Sequence, residues 1–99
     1  PGARVDWNRP AEEIARQVRA NNPSPMAWTR LQGERFRVLR ATPAEAAGLA
    51  PGQVRAGKRE VLVGTGAGTL RLEQVQPAGK RPLAAADWAR GLRGEAVFE

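Results

Sequence analysis

The sequence has no histidine, cysteine or tyrosine. Imidazole acid–base catalysis, thiol nucleophiles, zinc-finger ligand sets and disulfide frameworks are therefore excluded within the chain. Aromatic residues are few, three Trp and two Phe in 99 residues, barely enough to fill one core. Long apolar runs are also missing: Arg, Gly or Glu interrupts each within a few residues. This leaves no membrane span of about 20 residues and no signal-peptide core, so a cytoplasmic location is expected. The chain opens Pro1-Gly2-Ala3 without an initiator Met, and the expectation is a piece of a longer polypeptide whose catalytic machinery lies upstream.

What is present is one soluble domain's worth of apolar residues, 41% of the total, and an excess of cations. Sixteen Lys+Arg against ten Asp+Glu give a net charge of +6 and an isoelectric point near 11.4, which favours anionic partners. Residues 1–50 and 51–99 each carry eight basic and five acidic groups, so the charge belongs to a folded surface and not to a basic tail. Fourteen of the cations are Arg, whose planar fork meets phosphate oxygens in a bidentate way. A GC-rich coding bias is the alternative reason for Arg over Lys.

Along the chain, Asp6-Trp7-Asn8-Arg9-Pro10 precedes apolar residues at helical spacing, Ala11, Ile14, Ala15 and Val18. Together with Glu12 and Glu13 near the positive end of the dipole, they predict a helix over residues 9–20 with a Glu12–Arg16 pair on its wet side. Asn22-Pro23 ends it, and Pro25 enforces extended chain. From residue 27 the period becomes two. Residues 28–31, a Gln32-Gly33 turn and residues 35–40 read as a hairpin, with Phe36 and Val38 inward, Arg35 and Arg37 outward, and Trp28 packed inward against them. Residues 42–51 are read as a loop or a weak helical turn. Further strands are expected at 53–56, 60–64 and 69–75, a short helix over 83–90 ended by Gly91, and a last strand at 95–98. The fold class is mainly β: a small five- to six-stranded OB-like barrel with an N-terminal helix and a short C-terminal helix, closed to remove exposed edges.

Two glycine patterns imitate nucleotide sites. Gly52-Gln53-Val54-Arg55-Ala56-Gly57-Lys58 follows the first positions of a Walker A loop, but Arg59 stands where Ser or Thr would hold magnesium. Gly64-Thr65-Gly66-Ala67-Gly68 is better read as a hairpin turn than as a dinucleotide fingerprint, because strand follows it. The carboxylates Glu34, Glu60 and Glu73 lie among arginines as ordinary surface charge. Trp7, Trp28 and Trp88 are read as core residues before base-stacking platforms, since single-strand readers display several aromatics on one face. The basic groups inform as sets: Arg35, Arg37 and Arg40 on one strand, Lys58 and Arg59 in one turn, Lys80 and Arg81 in another. Gathered on one side, they would position a phosphate backbone without reading bases.

Three stretches resemble the C-terminal domain of methionyl-tRNA formyltransferase. These are Asp6-Trp7-Asn8-Arg9-Pro10-Ala11-Glu12-Glu13-Ile14 with Val18-Arg19-Ala20-Asn21-Asn22-Pro23, then Pro25-Met26-Ala27-Trp28-Thr29, then Leu72-Glu73-Gln74-Val75-Gln76-Pro77-Ala78-Gly79-Lys80-Arg81. The last is the most specific: in the family a Gln-Pro-x-Gly-Lys stretch leads from a strand into a short helix ended by Gly, matched by Asp87-Trp88-Ala89-Arg90-Gly91. Ala84 and Trp88 depart from the usual Ser-like cap and Phe. The resemblance covers residues 5–98 and implies one OB-like domain, 1–99, following a Rossmann-like catalytic domain in the same chain. That domain would use 10-formyltetrahydrofolate to formylate initiator methionyl-tRNA. No catalytic residue, metal or cofactor is expected in this domain, which by the resemblance would be the tRNA-holding half of a monomer without membrane contact. The resemblance implies a tRNA-backbone contact whose nearest matches here are Lys80 and Arg81; Arg35, Arg37, Arg40, Lys58 and Arg59 join them on charge alone. The alternatives are a packing or spacer barrel of a sugar or formyltetrahydrofolate formyltransferase, a free-standing oligonucleotide-binding module, or a basic scaffold without ligand.

Overall fold

A computed structural model describes residues 3–21 and 26–99. Pro10 opens helix α1 (Ala11–Asn21), with Glu12 and Glu13 in its first turn and Arg19 in its last, each charge placed to complement the helix dipole. Ala11, Ile14, Ala15 and Val18 form the buried face, as their spacing predicts. The ion pair at the helix start joins Arg9 to Glu13 at 2.8 Å, in place of the expected Glu12–Arg16 pair. The break expected at Asn22-Pro23 and Pro25 lies outside the described residues.

Seven strands follow: β1 (Ala27–Leu31), β2 (Glu34–Ala44), β3 (Gln53–Ala56), β4 (Val61–Gly64), β5 (Thr69–Pro77), β6 (Leu83–Ala84) and, after helix α2 (Ala85–Ala89), β7 (Ala96–Val97). Their order in the sheet is β1-β2-β5-β4-β3-β7, every pair antiparallel, with β6 on β5. The last residues join the two ends of this path. Phe98 N–H donates to Gly52 C=O at 2.8 Å, and Arg30 and Glu99 exchange backbone bonds of 3.3 and 2.9 Å. The sheet thus curls on itself as the OB-like reading expects, with seven strands where five or six are expected, and pairs backbone groups at its two ends.

Two differences from the expected elements have local causes. β2 runs on to Ala44 instead of yielding to a loop, because Ala41 to Ala44 pair with Leu72 to Thr69 of β5. Pro43 is tolerated there because β1 pairs only as far as Val38, so β2 beyond it has an edge without a ladder partner. The C-terminal helix starts two residues late, since Leu83 and Ala84 pair with Val75 and Gln74, and its N-cap Ala84 makes no side-chain bond.

The core combines Ile14 and Val18 from α1 with Phe36, Val38, Val61, Val63, Leu70 and Val75 from the strands. Four aromatics meet within it: Trp7 stacks on Phe98 at 5.4 Å, and Phe36 lies 4.8 Å from Trp88 and 4.9 Å from Phe98. Trp7 Nε1 donates to Thr29 Oγ1 at 2.9 Å, and that hydroxyl donates to Glu99 C=O at 2.8 Å, so both buried polar groups are satisfied.

Trp28 corrects the inward reading. The two-residue turn Gln32-Gly33, with φ of +53° and +82°, is of the primed kind that suits hairpins. It pairs Leu31 with Glu34, Arg30 with Arg35, Thr29 with Phe36 and Trp28 with Arg37. With Phe36 inward, Thr29 is inward and Trp28 shares the outer face with the arginines.

The two glycine patterns serve the fold. In the Walker-like run, Gly52 N–H donates to Gly64 C=O at 3.0 Å and its carbonyl receives Phe98 N–H, so the peptide groups a phosphate would need are engaged in the sheet. The Gly64 to Gly68 turn docks the entry to α1: Gly66 N–H donates to Arg9 C=O and Ala11 N–H to Ala67 C=O. A Cβ at Gly66 would stand 1.8 Å from the Asn8 carbonyl oxygen, which explains glycine there.

Candidate functional site

On the outer face of the barrel, a row of residues crosses three strands. Trp28 of β1 faces Arg37 of β2, and Arg37 faces Gln76 of β5. Gln76 Nε2 donates to the Lys80 carbonyl at 3.0 Å, and Lys80 N–H closes a turn on Pro77 C=O at 3.1 Å. The loop carrying Lys80 and Arg81 is thereby fixed beside the strand carrying Arg35 and Arg37. All four cations are exposed, and none of them takes part in an ion pair among the described residues.

The other expected cations stand apart. Arg40 lies beyond a register shift after Val38 and pairs with Glu73 at 3.3 Å, a carboxylate that also accepts from Thr42 Oγ1 at 3.2 Å. Its charge is locally offset. Lys58 and Arg59 occupy the β3–β4 turn, on the far side of β5 from β2 in the sheet order. Nearby, Glu60 holds Arg71 at 2.9 Å. Arg90 pairs with Asp87 on α2.

Two cations missed by strand-by-strand reading join the row at the β1 side. Arg30 is the register partner of Arg35, and Arg4 arrives through a parallel bridge to Trp28. Their guanidiniums lie 5.4 and 5.3 Å from the Trp28 ring centre, and that of Arg35 lies 4.0 Å from it, within cation–π range. Counting residues back from the Gln32-Gly33 turn would have placed Trp28 and Arg30 on this face; nothing local announces Arg4.

Beside the Lys80 loop a groove of ≈ 530 Å³ is walled by Pro77, Pro82, Leu83 and Trp88, with Lys80 and Arg81 at its rim. Among the described residues no group of three His, Cys, Asp or Glu side chains could hold a metal ion. No helix there is long and apolar enough to cross a membrane. The arrangement offers positive charge held in place on a sheet.

Residues 2–93 match the family model for the formyl transferase C-terminal domain. The chain belongs to that family. It is 53% identical over 94 residues to the methionyl-tRNA formyltransferase of Nocardioides sp., covering 92% of this chain and 30% of the relative. Identity to the methionyl-tRNA formyltransferase of Streptomyces coelicolor is 51% over 92 residues, again with 92% and 30% covered. Among solved structures, HypX from Aquifex aeolicus in complex with tetrahydrofolic acid superposes with a TM-score of 0.71 at 25% identity, over 89% of this chain and 16% of that one. This formyl transferase C-terminal domain therefore spans about 30% of the length of the curated relatives it matches.

Proposed function

We propose that this domain holds initiator tRNA by its phosphate backbone for a formyltransferase catalytic domain in the same polypeptide. The observation that carries the reading is the row Arg35, Arg37, Lys80 and Arg81, joined across β2 and β5 through Gln76, none of them in an ion pair among the described residues. Contacts of this kind fix register and orientation on the RNA while carrying no sequence information. The relatives named methionyl-tRNA formyltransferase supply the class of partner. In this reading the parent is a cytoplasmic monomer, and discrimination of the initiator lies at the acceptor end, in the catalytic domain. The present domain contributes affinity and orientation, which lower the entropic barrier of the transfer step.

The formyl donor, 10-formyltetrahydrofolate, belongs to the catalytic domain. The groove beside Trp88 does not fit its pterin, because its lining residues include no carboxylate or side-chain amide to pair with the ring's donors and acceptors. No residue here is assigned to the donor.

Binding of the domain to initiator and elongator tRNA across a salt series tests the reading. With about four or five phosphates neutralised, affinity falls a few hundredfold between about 50 and 200 mM salt for both RNAs. Lys80→Ala with Arg81→Ala weakens both equally and lowers the salt slope by about 2. Unchanged affinity in that variant would remove the site assignment. Negligible binding of the unaltered domain at low salt would favour a spacer barrel.

A further inference from the structure

The outer face of the β1–β2 hairpin gathers three arginines around one indole, of which Arg30 also donates from Nη1 to the Gly33 carbonyl of the turn at 3.4 Å. Arg30 and Arg35 are direct register partners, and like charges placed opposite one another destabilise a sheet. Arg4 is brought to the same spot by backbone bonds that flank it, Val5 N–H to Trp28 C=O at 2.8 Å and Trp28 N–H to Ala3 C=O at 2.9 Å. All three guanidiniums lie within 5.4 Å of one ring centre, so no two are separated by more than twice that distance. That is about one Debye length at ~0.1 M salt, too close for salt to screen them fully. None takes part in an ion pair among the described residues, although Asp6 and Glu99 line the same open groove as Arg4. Trp28 holds the three guanidiniums together by cation–π attraction, offsetting part of their repulsion and restricting long side chains before any ligand arrives.

We infer that Trp28, Arg4, Arg30 and Arg35 form a preorganised phosphate clamp in which Trp28 is the positioning residue and the three arginines bind backbone phosphates of the folded RNA. The inference rests on the tRNA-holding reading and adds Arg4, Arg30 and Trp28 to it. A base stacked on Trp28 is the competing arrangement, and on the face it covers the Arg35 guanidinium, 4.0 Å from the ring centre, would have to be displaced by such a base. Lys80 and Arg81 extend the same face, so the clamp and the loop would grip separate phosphates.

The test measures tRNA affinity and salt slope for Trp28→Leu, Trp28→Phe and the triple variant Arg4→Gln, Arg30→Gln, Arg35→Gln, with thermal melting recorded for each. Trp28→Leu leaves the net charge unaltered, so its expected ~3–10-fold loss of affinity reports geometry alone. Trp28→Phe, which keeps a ring, stays within about 2-fold of the unaltered domain. The triple variant lowers the salt slope by about 2 to 3. Unchanged affinity in Trp28→Leu overturns the clamp while leaving the Lys80–Arg81 reading intact. A triple variant with the original slope, beside a Trp28→Leu variant that has lost affinity, identifies Trp28 as a base platform and likewise overturns it. If the unaltered domain shows no salt-dependent tRNA binding, the tRNA-holding reading fails first and the clamp with it.

Discussion

The two faces of the β1–β2 hairpin share one backbone ladder and have opposite chemistry. Inward, Ala27, Thr29, Phe36 and Val38 are each no more than 1% exposed and pack with Trp7, Trp88 and Phe98. Outward, Trp28, Arg30, Arg35 and Arg37 stand on the same strands as a charged row around one indole. Alternation at a period of two lets neighbouring residues serve separate ends: one face supplies stability, the other a surface for an anion. Changes on the two faces should therefore be separable, stability without binding and binding without stability.

Phe36→Ala should have the largest effect. It removes the ring that touches both Trp88 and Phe98, and urea unfolding should show a loss of about 3–5 kcal/mol. A loss below ~1 kcal/mol would mean that the aromatic cluster is not the core of the barrel. Thr29→Val keeps the shape but strands the buried Trp7 Nε1–H, while the Glu99 carbonyl keeps its bond from Arg30 N–H, and should cost about 1–3 kcal/mol by the same assay. On the outer face, Trp28→Leu should change unfolding free energy by less than ~1 kcal/mol, even though the residue removed is larger than Phe36. A cost like that of Phe36→Ala would break the comparison by making Trp28 a core residue. The smallest effect is a gain. Gln32 holds a left-handed conformation, φ +53°, so Gln32→Asn should raise the urea midpoint by about 0.5–1 kcal/mol equivalent with an unchanged m-value. A lowered midpoint would show that the Gln32 side chain has a role in the turn beyond its backbone.

Much of this contrast was legible in the sequence. Helix α1 followed from Ile14 and Val18 on one face, and the hairpin from the alternation of Phe36 and Val38 with Arg35 and Arg37 about Gln32-Gly33. The hydrophobic size of Trp28 points inward, whereas counting back from the turn sets Thr29, not Trp28, opposite Phe36. Arg40 escaped for a different reason: the register shift after Val38 buries both Val38 and Leu39, and strict alternation fails at such a bulge. The contributions of Arg4 and Gln76 depend on pairings distant in sequence, a parallel bridge and a three-strand register, that no local pattern contains. Leu83 and Ala84, read as the first turn of a helix, became strand because β5 offered them a partner, a tertiary contact overriding propensity.

The most direct measurement is an amide chemical-shift map of the isotope-labelled domain titrated with tRNA. The account predicts perturbations concentrated on Trp28, Arg30, Arg35, Arg37, Gln76, Lys80 and Arg81, fading as salt rises, with the inward residues Phe36 and Val38 little affected. Shifts centred instead on Lys58 and Arg59 at the β3–β4 turn, or none at low salt, would contradict it.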